Sequence, residues 1–204
     1  ATAQAIAAAT DSTKNPYPPS TGTLTLNDPL KDNTRGNKWA EDSDVAGSCS
    51  FVGQAYHASM LLPGIEYCFA QAASFTNVAY QVQMTLVKGD SGGLLLRGAP
   101  PAGKFYYCFI RSDGSYGIQL YTEKSTSPAG TLASGTSPAI RTGFGQSNLL
   151  AVVAQGNTLE MYVNLQKVAT AHDNTYQSGY VGVAVHSNLD ATEGIFQDAR
   201  VWKL

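Results

Sequence analysis

AYQVQMTLVKGDSGGLLLRGAPPAGKFYYCFIRSDGSYGIQLY, residues 79–121, decides the fold. In Tyr80-Gln81-Val82-Gln83-Met84-Thr85-Leu86 apolar and polar residues alternate strictly, and a period of two places successive side chains on opposite faces of a strand. Further apolar runs follow at 94–97, 104–111 and 116–122. They are cut by Gly89-Asp90-Ser91-Gly92-Gly93 and Ser112-Asp113-Gly114-Ser115, residues that tolerate left-handed backbone or cap a turn through a short side chain.

Outward from this stretch the pattern repeats. Runs of period two lie at 50–57 and 65–70 before it, and at 148–155, 158–164, 166–171, 179–186 and 195–203 after it. Gln155-Gly156-Asn157 and Asn164-Leu165-Gln166 separate neighbouring runs closely enough for tight hairpins. No segment has helical periodicity. The expectation is an all-β chain, a two-sheet antiparallel β-sandwich of jelly-roll type, with the last run, Ile195–Lys203, returning beside the first, Thr23–Leu26. Residues 1–20, with six alanines in the first nine positions and Asn15-Pro16-Tyr17-Pro18-Pro19-Ser20 after them, are expected to form a flexible stalk, and 21–204 the sandwich.

Only 14% of the 204 residues are charged, against about 25% on average, and the net charge is −2 with no Lys/Arg cluster. Nucleic acid is therefore not an expected partner, since neutralising phosphates needs clustered cations. No run reaches the roughly 18 apolar residues of a membrane span, so this segment is not expected to insert into a membrane. The composition suits an exported protein. Of three cysteines, Cys49 and Cys68 each flank a strand-like run and are the preferred disulfide pair, whereas Cys108 sits inside Tyr106–Ile110 as a small buried group would; three reduced, buried thiols are the alternative.

The string Gly89–Gly93 spells the nucleophile motif of trypsin-like proteases. Such a serine needs a histidine base and a carboxylate brought from a separate barrel, and His57 precedes Ser91 by only 34 residues, room for too few strands. Gly89–Gly93 is read as a hairpin connection between adjacent strands, and Ser91 as one of its turn residues. Retaining glucanases need two carboxylates about 5–5.5 Å apart, and no Glu-x-Asp-x-x-Glu string occurs. His57, His172 and His186 lack metal-ligand spacing, so no metal is expected. Glu41-Asp42-Ser43-Asp44 resembles a calcium loop only faintly, leaving a rim calcium as the sole cofactor considered.

Arg97 closes Leu94-Leu95-Leu96, and its planar fork suits a carboxylate, phosphate or sugar hydroxyls, an ion pair with Asp90 or Asp113 being the plainer role. Exposed tyrosines offer sugars a flat apolar face and a hydroxyl. The expected ligand-binding set is Gln83, Arg97, Tyr106, Gln119 and Tyr121, on the outward sides of adjacent strands, with no catalytic residue.

Taken in order, Asp28-Pro29-Leu30, Trp39, Gly-Asp-x-Gly-Gly-x-x-x-Arg at 89–97, Tyr106-Tyr107-Cys108-Phe109-Ile110, Asp113-Gly114-Ser115-Tyr116, Leu-x-x-Tyr-Val-Asn at 159–164 and Phe-x-Asp at 196–198 resemble the concanavalin A-like lectin/glucanase superfamily over about Leu24 to Trp202. Within it the chain is similar to laminin-G-like and 3-keto-disaccharide hydrolase-type domains, and most of all to the C-terminal extracytoplasmic domains of bacterial membrane-anchored serine/threonine kinases. That resemblance implies a non-catalytic sensor, outside the cytoplasm on a membrane-anchored parent chain, holding a carbohydrate or other small polar ligand on its concave sheet. An enzyme like the 3-keto-disaccharide hydrolases and a protein-interaction domain are the alternatives.

Overall fold

The computed structural model describes Tyr17, residues 22–123 and residues 125–204. These form fifteen strands, numbered along the chain, in two antiparallel sheets. The smaller sheet is ordered β10 (Gly130–Thr136), β9 (Ser115–Thr122), β8 (Lys104–Arg111), β7 (Ser91–Ala99), β14 (Gly179–Ser187), β5 (Gly64–Phe75). The larger runs β13 (Gln166–His172), β12 (Thr158–Val163), β11 (Ser147–Gln155), β6 (Val78–Lys88), β15 (Thr192–Lys203), β4 (Ala55–Met60), β3 (Gly47–Val52), β2 (Asp42–Ser43). β1 (Thr23–Asp28) pairs with the second half of β15, Thr23 opposite Lys203, so the first and last strands are neighbours as expected.

The core lies between the sheets. Leu94, Leu96, Tyr106, Cys108, Ile110 and Val183 from the smaller sheet meet Tyr80, Val82, Met84, Leu150, Val152 and Phe196 from the larger. Full burial of each aliphatic side chain contributes about 1.5–3 kcal/mol, and the alternation in the sequence is what aims them all inward. Asp28 anchors one rim of this core: its buried carboxylate accepts Trp39 Nε1–H at 3.1 Å, Asn37 Nδ2–H at 2.7 Å and the Leu30 amide at 2.9 Å. Trp39 is accordingly buried.

The turn at Gly89–Asp90 is not a hairpin within one sheet. β6 belongs to the larger sheet and β7 to the smaller, so the chain arches from one layer to the other there. Asp90 ties the arch down, its amide donating to Thr192 Oγ1 and its carboxylate accepting the Asn188 amide.

Cys49 on β3 and Cys68 on β5 are disulfide-bonded across the two sheets, with Cα atoms 5.8 Å apart, and Cys108 is a buried free thiol. Beside the bridge, Glu66 also points between the layers; its Oε1 lies 3.3 Å from Cys49 Sγ. Burial first, then the nearby Asp42 and Asp44, push its carboxyl up to about 7. The native state therefore holds a proton that the unfolded chain has already lost. Stability is fully present below about pH 4.5 and declines as pH rises to about 7, then levels off. After discounting for solvent screening at a partly exposed site, the expected loss is on the order of 1 kcal/mol. Urea titrations between pH 4.5 and 8 should show this decline in the parent protein and a flatter profile in Glu66→Gln; equal profiles would refute it.

The stalk expected over residues 1–20 lies outside the described residues except for Tyr17. That ring is buried on the outer face of the larger sheet, 4.9 Å from the ring of Tyr162, with Ala79, Ala151 and Val153 beneath.

Candidate sugar-binding face

Strand parity gives the smaller sheet an aromatic outer face. With Tyr106, Cys108 and Ile110 turned inward, β8 presents Phe105, Tyr107, Phe109 and Arg111 outward. Register then builds rows across the sheet. Phe109 stands opposite Gly93, Gly93 opposite Ala184 and Ala184 opposite Tyr67. Arg111 stands opposite Ser91, Ser91 opposite His186 and His186 opposite Ile65.

The rings lie down rather than stand up. Tyr107 stacks on Phe109 at 5.0 Å between centroids and Phe105 on Tyr121 at 4.8 Å, while Tyr67 packs 5.5 Å from Phe105. Glycines make the room: a Cβ on Gly98 would come within 2.0 Å of Phe69 Cε1, and one on Gly117 within 2.6 Å of Phe109 Cζ. The strand interior tolerates these glycines because the aromatic rings occupy their side-chain space.

This face is concave. The β9–β10 connection bends over it, so that the Thr126 carbonyl lies 3.4 Å from His186 Nε2 on β14 and the Thr126 methyl sits beside Gly64 on β5. On a flat sheet β9 and β5 would be four spacings, about 19 Å, apart, and Thr122, opposite Lys104, would also lie about 23 Å along the strands from the Arg111 row beside Gly64, whereas the four residues after Thr122 span roughly 14 Å at full extension. The contact requires the sheet to curl toward this side.

Under the connection lies a pocket of about 140 Å³ floored by Ser91, Phe109, Arg111, Gln119, His186 and Asn188. Thr126, Ser127 and Pro128 form its roof. Ser91 is not a turn residue but the first residue of β7, buried and paired with Arg111 and His186, and its Oγ is partnered by the Tyr107 hydroxyl at 3.2 Å. Burial lowers the pKa of His186, favouring the neutral ring. The Arg111 guanidinium rests over the Phe109 ring, 4.7 Å from its centroid. The pocket thus offers amides, hydroxyls, an imidazole and a guanidinium, with the Phe109 ring buried beneath the guanidinium, a polar mixture that can hydrogen-bond sugar hydroxyls.

Of the five residues expected to bind ligand, Gln119 lines the pocket and Tyr121 lies on the same face. Tyr121 is nevertheless only 1% exposed; burial raises its pKa to about 12, and its hydroxyl has no hydrogen-bond partner among the described residues. The other three lie elsewhere. Gln83 is on β6, hence on the larger sheet, where its amide donates to Ser147 Oγ at 2.5 Å. Tyr106 points into the core, its hydroxyl donating to Asp173 and accepting the Tyr176 amide. Arg97, 3% exposed, pairs with neither Asp90 nor Asp113: its guanidinium donates to the carbonyls of Tyr176 (2.9 Å), Thr76 (3.3 Å) and Gly156 (2.7 Å). Sequence reasoning overlooked Arg111 and His186. The signal for Arg111 was its parity with Phe109, two residues earlier on the same strand.

The acidic loop considered for calcium lies at the β2–β3 edge. Glu41 accepts the Asn33 side-chain amide, and Asp44 caps its turn by accepting the amides of Ala46 and Gly47.

Compared by sequence, the chain matches no family profile and no curated protein. Compared by structure, it is similar to the carbohydrate-binding module CBM66 from Bacillus subtilis, with TM-score 0.66 and 20% identity over 81% of this chain and 95% of that one. The fold is that of the concanavalin A-like lectins and glucanases. Two further structures share this fold. One is the Bacillus licheniformis beta-glucanase, with TM-score 0.58 and 12% identity over 91% of this chain and 100% of that one. The other is the exoplasmic/lumenal domain of VIP36 in its Ca2+/Man3GlcNAc-bound form, with TM-score 0.59 and 15% identity over 89% of this chain and 90% of that one. Among the described residues of this concanavalin A-like sandwich, no helix is long and apolar enough to cross a membrane.

Proposed function

We propose that this domain is a non-catalytic carbohydrate-binding module whose sugar site is the concave face of the six-stranded sheet. The observation that carries the reading is the roofed pocket at the Arg111 end of that face, lined by the side chains of Arg111, Gln119, His186 and Asn188. Binding is favoured over hydrolysis by the strands themselves: β7, β8, β9, β10 and β14 contain no Asp or Glu, and the one acidic residue of β5, Glu66, turns inward beside the disulfide. The strands of this face therefore supply no carboxylate pair. The similarity to a carbohydrate-binding module and a glycan-bound lectin domain supports the same reading.

The finer placement is an extracytoplasmic sensor on a membrane-anchored parent, of the receptor-type serine/threonine kinase kind. It is supported by the motif order from Asp28 to Asp198 and by the cross-sheet disulfide, a bond that persists in oxidising compartments. Sequencing upstream of Ala1 tests the placement: a membrane span preceded by a kinase domain is expected, and a signal peptide directly before Ala1 would overturn it.

A glycan microarray tests the binding itself. At least one glycan class should be retained. The double variant Gln119→Ala/His186→Ala should weaken that retention about tenfold, the cost of two sugar hydrogen bonds, and Gln83→Ala, on the opposite sheet, should leave it unchanged. Retention of no glycan by folded protein, or loss with Gln83→Ala but not with the pocket variant, would overturn the assignment.

A further inference from the structure

We infer that the pocket beneath the β9–β10 connection receives the carboxylate of an acidic sugar, with Arg111 as the group that selects it. The inference rests on the reading of this face as the sugar site and adds the chemistry of the residue it takes.

Arg111 is the only formally charged side chain on the pocket floor, and no carboxylate lies within ion-pairing distance of it among the described residues. Among the described residues its one protein hydrogen bond is long, Nη1 to Ser115 Oγ at 3.5 Å. Asp113 accepts the Ser115 amide at 2.8 Å, and its carboxyl is held below the usual range first by its hydrogen bonds from Ser115 and only in smaller part by the charge of Arg111, while Asp90 accepts the Asn188 amide. The remaining floor is neutral, with His186 held toward its uncharged form by burial. A cation without an acidic partner in a concave, partly closed site is a preformed anion site, since field lines focus there and screening is reduced.

The geometry favours a carboxylate among anions. Stacking over Phe109 covers one face of the guanidinium and leaves its N–H edges to bond. That planar fork matches two coplanar oxygens, which a carboxylate presents bidentately. The volume of about 140 Å³ admits the carboxylate and the adjoining part of one sugar ring. The Gln119 and Asn188 side chains remain for neighbouring ring hydroxyls. A uronic acid residue, at a chain end or in a polyuronide, has this shape and charge.

Titration calorimetry with matched oligosaccharides tests it: oligouronides, their methyl esters, the corresponding neutral oligosaccharides, and sulfated ones. The uronides should bind, with affinity that falls as salt is raised. Methyl esterification, which removes the charge and keeps the shape, should weaken binding about tenfold or more, and Arg111→Gln should do the same to the acid and shrink the difference in affinity between acid and ester to about twofold or less. The melting temperature of Arg111→Gln should match the parent, so that lost binding is not lost folding. Equal binding of acid, ester and neutral sugar, indifferent to Arg111→Gln, would overturn the inference and leave the sugar-binding module intact. Preference for sulfated over uronic ligands would overturn the carboxylate assignment. If no oligosaccharide of any charge binds the folded protein, both the inference and the module reading fall.

Discussion

Arg97→Ala should lower the unfolding free energy by about 3 kcal/mol or more, a drop of roughly 6–12 °C in melting temperature for a chain of this size. The side chain is buried, and its guanidinium joins the carbonyls of Thr76, Gly156 and Tyr176, which belong to three separate connections at one end of the sandwich. Removing it orphans three acceptors at once, each of which bonds to a charged donor. Backbone strain sharpens the prediction. Arg97 has φ of 52°, in the left-handed region that glycine adopts freely, so alanine keeps the strain while discarding the hydrogen bonds. Arg97→Gly should therefore be about 1 kcal/mol more stable than Arg97→Ala, although both fall below the parent. Lysine, able to bridge fewer carbonyls, should fall between parent and alanine. Urea denaturation of the four proteins measures the order. Glycan retention by the alanine variant, assayed well below its melting temperature, should match the parent. Full stability with lost glycan binding would return Arg97 to the ligand site.

The same residue shows where reading the sequence reached its limit. Period-two runs identified the strands because one face of each is buried, and the tight hairpins were legible from their spacing. At Asn164-Leu165 both residues have positive φ, 48° and 71°, as a type I′ turn demands, although only the asparagine is a residue that favours it. What local sequence does not encode is which sheet a strand joins. Gly89-Asp90 suits a hairpin and an arch between layers equally well, because both need the same permissive backbone. Reading it as a hairpin put Gln83 beside Arg97 and Tyr106 on one surface; the arch places β6 in the other sheet and separates them.

Parity explains the second displacement. In Lys104–Arg111 every position but the ends is aromatic, aliphatic or cysteine, so the run can be laid with Tyr106 or Tyr107 outward and bury apolar groups either way. The tie is broken by partners distant in sequence. Tyr106 finds Asp173 and the Tyr176 amide between the layers, while Phe105, Tyr107 and Phe109 lie over the outer surface, Phe109 across Gly117. Once Tyr107 faces outward, Arg111 must too, and the pocket acquires its cation.

Loss of the Cys49–Cys68 bridge is the second large effect. In Cys49→Ala/Cys68→Ala the unfolded chain regains the freedom of a closed loop of 19-residue separation, which the chain-entropy relation converts to about 3 kcal/mol. At about 2–4 °C per kcal/mol for a chain of this length, the melting temperature should fall by roughly 6–12 °C. The bridge joins β3 of the larger sheet to β5 of the smaller, so its loss acts on the contact between layers on the inner side of β5, whereas the sugar pocket lies on the outer side of that sheet. The variant should therefore melt early yet hold its glycan at low temperature. Thiol titration separates the bridge from the alternative of three reduced cysteines. Native protein should show no reactive thiol, because Cys108 is fully buried and burial pushes its thiol far up. Denatured, unreduced protein should show one thiol, and denatured, reduced protein three. Three thiols before reduction would remove the bridge, and with it the argument that this domain matures in an oxidising compartment.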